Sequence, residues 1–194
     1  MTSRREFLKA GLVATALPVA ARADFNTTSL PTIPLYKVLY DTRFPASVAF
    51  AGRVAARGLT VHAMAGDMTR FWYDDLYHRW RQAPAAIAGL TGHGALFCLE
   101  RLAWEQGMRV VYRGEHTAAA GGCVAHSFRG PSTILSGAAE AGAEPNWAAA
   151  LADVVAECPR GSASHTAEAL TANPSGVPPS ESLFSWVIAP VSRA

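Results

Sequence analysis

Leu35-Tyr36-Lys37-Val38-Leu39-Tyr40-Asp41-Thr42-Arg43 is the stretch on which the reading of this chain turns. Six mostly apolar and aromatic residues closed by polar ones have the length and make-up of a buried strand ending at Asp41. Pro45 suits the first turn of a helix, which should run to about Arg57 with Val48, Ala49, Gly52, Ala55 and Ala56 near one face. Gly58 stops it, and Leu59 to Ala65 reads as a second strand closing at Gly66-Asp67. An aromatic-rich helix follows over about Thr69 to Arg81, capped by Asp67 or Thr69. The segment Gly89-Leu90-Thr91-Gly92-His93-Gly94 reads as a loop into a third helix, Ala95 to Gln106, and Met108 to Arg113 as a third strand. Strand, helix, strand, helices, strand predicts a mostly parallel α/β sheet with flanking helices, a Rossmann-like βαβαβ core.

Beyond Glu115 the punctuation changes. Gly121-Gly122 turns the chain into Cys123 to Phe128, expected to pair antiparallel with the third strand. A Gly/Ala/Ser-rich stretch runs to about Ala143, and a helix from Pro145 or Asn146 continues through Val155. Residues 161–182 are rich in Ser, Pro and Gly and read as a loop before a last strand, Leu183 to Ala189. The expectation is one α/β domain over 35–194 with a C-terminal hairpin or strand addition, after an extended lead-in over 24–34. A chain of 194 residues, half of them hydrophobic, is long enough for one proper core.

The first 23 residues stand apart. Arg4-Arg5 followed by Glu6-Phe7-Leu8-Lys9, an Ala-rich apolar run and Ala21-Arg22-Ala23 occur in the order of an export signal with a small-residue cleavage site. The segment resembles the twin-arginine (Tat) signal of bacteria, which addresses proteins that fold before they cross the membrane. The resemblance implies recognition by the Tat translocase, cleavage by a signal peptidase before Asp24, and a periplasmic product. The apolar run is far shorter than the roughly 20 residues of a bilayer span, so stable membrane insertion after cleavage is not expected.

Loss of Arg4, Arg5, Lys9, Arg22 and Glu6 turns a net charge of +2 into −1. Nothing in that balance points to nucleic acid. Lys37 is the one lysine past the signal, which argues against a Schiff-base lysine, and the phosphate-loop GK[ST] is missing. No Cys-x-x-Cys occurs among Cys98, Cys123 and Cys158; Cys98 reads as a buried small hydrophobe, and Cys123 with Cys158 is the pair to test for a bridge. The six histidines show no H-x-H or H-x-x-x-H spacing, so no metal site and no cofactor are expected.

In an open α/β sheet, ligands bind beyond the carboxyl ends of the strands. That rule gathers Asp41, Thr42 and Arg43 after the first strand, Gly66, Asp67 and Thr69 after the second, and Arg113, Gly114, Glu115 and His116 after the third. Thr91, Gly92, His93 and Gly94 join them at a helix N-terminus. Glu115 and His116 are candidates for proton transfer, with Asp41 as a base or orienting group. Adjacent strand residues point to opposite faces, so the first pair needs a loop to face one cleft. Arg43 is suited to gripping a carboxylate or phosphate, and Gly92-His93-Gly94 to offering N–H groups to an anion. Each has a plainer reading as turn, cap or internal ion pair. Trp72, Tyr73 and Trp80 belong to a helix with rings around much of its girth, a candidate pocket wall or docking face.

Two functions follow. The first is an exported, non-enzymatic accessory subunit or small-molecule binder, in one version co-exported with a redox enzyme. The alternative is a small cofactor-independent hydrolase, lyase or isomerase using Glu115 or His116 with Arg43 and the Gly92–Gly94 loop. The alternative requires that His116, Asp41 and Arg43 converge in one pocket.

Overall fold

The computed structural model describes residues 31–160, 164–172, 177–178 and 180–191. The signal segment over 1–23 lies outside them. Seven strands form one sheet: β1 (Leu35–Asp41), β2 (Val61–Met64), β3 (Ala86–Gly92), β4 (Met108–Ala119), β5 (Cys123–Gly130), β6 (His165–Ala172) and β7 (Leu183–Pro190). Their order is β2-β1-β3-β7-β4-β5-β6. Only β1 with β2 and β1 with β3 pair in parallel; the other four pairings are antiparallel.

The expectation of a mostly parallel, Rossmann-like sheet is therefore wrong, and two features overturn it. Residues 89–92, taken as loop, lie in the fully buried strand β3. The last strand, β7, does not add at an edge but inserts antiparallel between β3 and β4. It thereby separates β4 from the parallel strands that the crossover rule would have placed beside it. The antiparallel half then grows as a meander. Gly121 (φ 74°) and Gly122 (φ 71°) supply the left-handed turn that folds β4 back onto β5, as expected.

Helices cover the two faces unequally. On one face lie α1 (Pro45–Ala56), α5 (Ser132–Ala143) and α6 (Trp147–Ala156), with Phe50, Val54, Leu135 and Leu151 packed over Val38, Leu90, Tyr112 and Phe128. The other face carries α4 (His93–Glu105) and a helical run, α2 (Thr69–Phe71), a π-helical segment Trp72–Leu76, and α3 (Tyr77–Gln82). Phe71, Leu76, Trp80, Leu96 and Leu99 pack there over Leu39, Ile87, Trp186 and Ile188. Towards β5 and β6 this second face is bare: Ala125, Ser127, Arg129, Glu168 and Leu170 are exposed.

Local reasons explain the other departures. The Gly/Ala/Ser-rich stretch forms α5, whose small residues let it lie close to the sheet; a Cβ on Gly142 would stand 2.9 Å from the Phe128 ring. Within the loop expected over 161–182, His165 to Ala172 adds as edge strand β6. Cys98 is exposed on α4 rather than buried, and Cys98, Cys123 and Cys158 are free thiols. Of the lead-in, Thr32 bridges Pro159 and Ile33 is buried. Among the described residues no helix is long and apolar enough to cross a membrane.

Candidate functional site

The carboxyl ends of β1 and β3 do bring several expected residues together. Asp41 is fully buried, and its carboxylate accepts both Nε (3.0 Å) and Nη2 (2.7 Å) of Arg43 as well as the Arg43 backbone N–H (3.1 Å). Glu181 stands 3.8 Å from the same guanidinium. Gly66 and Gly92 give the Arg43 side chain room: a Cβ on Gly66 would lie 2.7 Å from its Cζ, and one on Gly92 would lie 2.6 Å from the Glu181 carboxylate. The Asp41 backbone N–H donates to Ser47 Oγ (2.8 Å), and that hydroxyl donates to the Leu90 carbonyl. Thr91 accepts from Trp186 Nε1 at 3.1 Å. Arg43 serves as the counter-charge of a buried aspartate through Nε and Nη2, while its side chain stays about half exposed.

The other expected residues divide. Asp67 accepts the Thr69 backbone N–H at 2.8 Å in a local turn just before Met68, the N-cap of α2, so neither Asp67 nor Thr69 is the cap. His93 is exposed and packs against Phe97 and Phe184 at ring separations of 6.0 and 5.5 Å. Gly94 lies in the first turn of α4 with nothing close by. Glu115 and His116 fall inside β4, which extends to Ala119, so they face opposite sides: Glu115 exposed, His116 fully buried. β3 and β7 intervene between the strands of Asp41 and His116. Three strand spacings amount to about 14 Å, well beyond hydrogen-bond reach. Of the aromatic trio, Trp80 is core, its Nε1 donating to the Ala85 carbonyl at 2.9 Å; Trp72 is part-buried, and Tyr73 alone is well exposed.

His116 has different partners. Its Nδ1 lies 2.8 Å from Nδ1 of His126, directly opposite on β5, and its Nε2 lies 3.0 Å from Ser185 Oγ on β7. Tyr112 Oη is 3.4 Å from the same hydroxyl. The Trp147 ring covers both imidazoles at 4.5 and 5.0 Å. Gly114 leaves the space, since a Cβ there would overlap Ser185 Oγ. Facing Nδ1 atoms need one donor and one acceptor, so the two rings cannot both be imidazolium. Burial pushes the His126 pKa down to about 4 and the His116 pKa well below its usual range, and raises that of Tyr112. Serine, histidine and a second group on the far nitrogen share the connectivity of a nucleophile–base pair. All four side chains, however, lie inside the core beneath α6. Ser185 and His126 were not singled out in the sequence. Folding the chain back at Gly121 sets His116 opposite His126, which is the signal that would have found this pair.

The open space lies at the opposite edge of the sheet. A cavity of about 930 Å³ forms where β1, β3 and β4 begin and β7 ends. Ile33, Leu35, Val110 and Val191 contribute apolar walls. Arg79, Arg109, Arg113, Arg129 and Arg160 line it against a single carboxylate, Glu100. Tyr36 adds a ring, over which the Arg79 guanidinium sits at 5.2 Å. Of the residues expected at the carboxyl edge, Arg113 lines this cavity instead, whereas Asp41, Arg43, Asp67, Thr91, Gly92, His93, Gly94, Glu115 and His116 do not. Among the described residues no group of three or more His, Cys, Asp and Glu is placed to hold a metal ion. No family model, no curated protein and no solved structure matches this chain.

Proposed function

We propose that this chain is an exported binding protein for a small organic molecule, carried across the membrane by the Tat route already folded. The observation that carries the binding role is the cavity at the amino ends of β1 and β3. Its volume of about 930 Å³ lies within the 300–1,000 Å³ range of small-molecule sites, and it combines apolar walls with a few charged groups. The export role rests on Arg4-Arg5 and the ordered parts of the segment that follows. Folded-state export suits a protein whose pocket is closed by its own last strand, β7, because that pocket exists only once the C-terminus has folded.

An enzyme built on Asp41, Arg43, Glu115 and His116 has no shared site to work in. Asp41 and Arg43 neutralise each other, and His116 is sealed beneath Trp147. Native mass spectrometry of the protein purified gently from the periplasm tests the proposal. The expected result is a bound organic mass lost on unfolding. A chain recovered bare, together with no ligand-induced rise in melting temperature across a metabolite panel, overturns it. The same preparation tests the accessory role through any enzyme that co-purifies.

A further inference from the structure

We infer that the ligand of the amino-edge cavity is an organic anion, a carboxylate or phosphate ester on an apolar body, whose acid group is held by Arg113 and Arg129. The inference rests on the cavity being a binding site. Arg113 on β4 and Arg129 on β5 are registered directly opposite each other, and both line the cavity. Like charges directly opposite on antiparallel strands destabilise the pair, by contrast with an opposite-charge pair in the same place.

Elsewhere among the described residues most cations are ion-paired. Lys37, Arg43, Arg53, Arg57 and Arg70 are each ion-paired, and none of them lines the cavity. The five arginines that do line it have no ion pair among the described residues. Arg81 and Arg101 are also without one and lie over rings of their own helices, 5.3 Å from Tyr77 and 4.4 Å from Trp104, as Arg79 and Arg109 of the cavity lie over Tyr36 and Trp104. Arg113 is further held over the Phe184 ring at 4.8 Å. An anion between the two guanidiniums converts a repulsive pair into two charge-assisted contacts and accepts their forked N–H groups. The apolar walls select the body of the ligand and exclude a bare inorganic ion as the best fit. Glu100 is the one opposing charge, and it sits on the α4 side of the cavity.

The test is isothermal titration of the protein with octanoate, octyl phosphate and octan-1-ol, three probes with the same eight-carbon chain. At least one anion should bind tenfold or more tighter than the alcohol, and its advantage should shrink as salt rises from about 0.05 to 0.5 M. The tighter anion identifies the acid group. In R113Q and R129Q the advantage should fall about tenfold while alcohol binding is kept. R129Q should also melt about 1–3 °C higher than the parent without ligand, since it relieves the repulsion. Equal binding of all three probes leaves a binding site and overturns the anion. An anion preference that survives both variants overturns the assignment to this arginine pair, and binding by none of the probes overturns the site as well.

Discussion

At the carboxyl ends of β1 and β3, Arg43 lies in the fork of a buried aspartate, with Gly66 and Gly92 shaped around it. At the amino ends of the same strands, five arginines face a cavity that contains one glutamate. The sheet, the strands and the residue types are the same; the accounting of charge is opposite. The first edge is where ligands of parallel α/β sheets bind. Here it is filled by internal pairs because the sheet is parallel only across β2, β1 and β3. Once β7 runs antiparallel beside β3, it ends among the amino ends of its neighbours, and Ala189, Pro190 and Val191 help to wall the cavity at that edge. Unmatched charge next to empty volume, and not strand direction, is what the proposed binding role rests on.

The closed packing of the parallel half can be broken most severely at Gly89. A Cβ there would stand 2.6 Å from the Leu39 carbonyl oxygen and 2.7 Å from the Trp186 ring, and the first of these is backbone that cannot swing away. Gly89→Ala should cost at least about 3 kcal/mol in urea unfolding, the upper end of overpacking penalties. Retention of parental stability would mean that β3 and β7 are not close neighbours. Arg43→Met comes next. It leaves the Asp41 carboxylate, wholly buried, without its counter-charge. Breaking a buried pair costs about 3–5 kcal/mol, and because Arg43 is half exposed and water can replace part of it, about 2–3 kcal/mol is expected here. Were Arg43 instead a ligand anchor, the variant would keep its stability and lose binding.

Much of this half was legible in the sequence. Pro45, Gly58 and the apolar run at Leu35 mark β1 and α1 because their signals are local, and the Gly121-Gly122 turn foretold the β4–β5 hairpin. β3 was not legible, since Ala86-Ile87-Ala88-Gly89-Leu90-Thr91-Gly92 carries loop-like glycines whose reasons are distant in sequence, Gly89 lying against Trp186 and Gly92 against Glu181. The insertion of β7 between β3 and β4 is likewise a long-range choice with no local mark. The arginine pair was within reach. A hairpin centred on Gly121 sets 113 against 129 as surely as 116 against 126, but the carboxyl-edge rule points away from the edge where the arginines lie.

The histidine pair lies between the two edges and tests the interior. The facing Nδ1 atoms and His116 Nε2 are matched, but only while the rings are neutral, and the buried His126 Nε2 has no hydrogen-bond partner among the described residues. The unfolded histidine has its ordinary pKa near 6.5 and folded His126 has one of about 4, so the unfolded chain binds more protons between those values. Stability is then complete above about pH 7 and falls as the pH drops below 6.5, with His116 acting in the same direction. From pH 7 to 5 the His126 contribution alone amounts to about 2 kcal/mol. Asp75 and Asp153, whose pKa values are lowered in the folded state, lose their contributions only below about pH 4, and His62, also lowered by burial, adds to the pair in the same window and direction. Melting temperatures at pH 7.5, 6 and 5 should show the drop, and His126→Gln should shrink it by about half. A flat profile would place the pair in contact with water.

The smallest effect is the most direct test of the contrast between edges, because it predicts a sign. Arg57 at the end of α1 is a matched arginine, donating to Asp153 at 2.8 Å and to Glu157 at 2.7 Å. Arg57→Gln removes two favourable surface contacts, and such contacts are each worth well under 1 kcal/mol, so the melting temperature should fall by about 1–2 °C. Arg129→Gln makes the same chemical change at an unmatched position and should raise it. Both residues are solvent-facing, both variants lose one charge and the side-chain volume changes equally, so the difference in sign isolates what each arginine faces. High salt should pull the two melting temperatures towards the parent from opposite sides, since it screens attraction and repulsion alike. Two variants shifted in the same direction would show that the cationic edge is not under repulsion and that the charges lining the cavity are simply solvated.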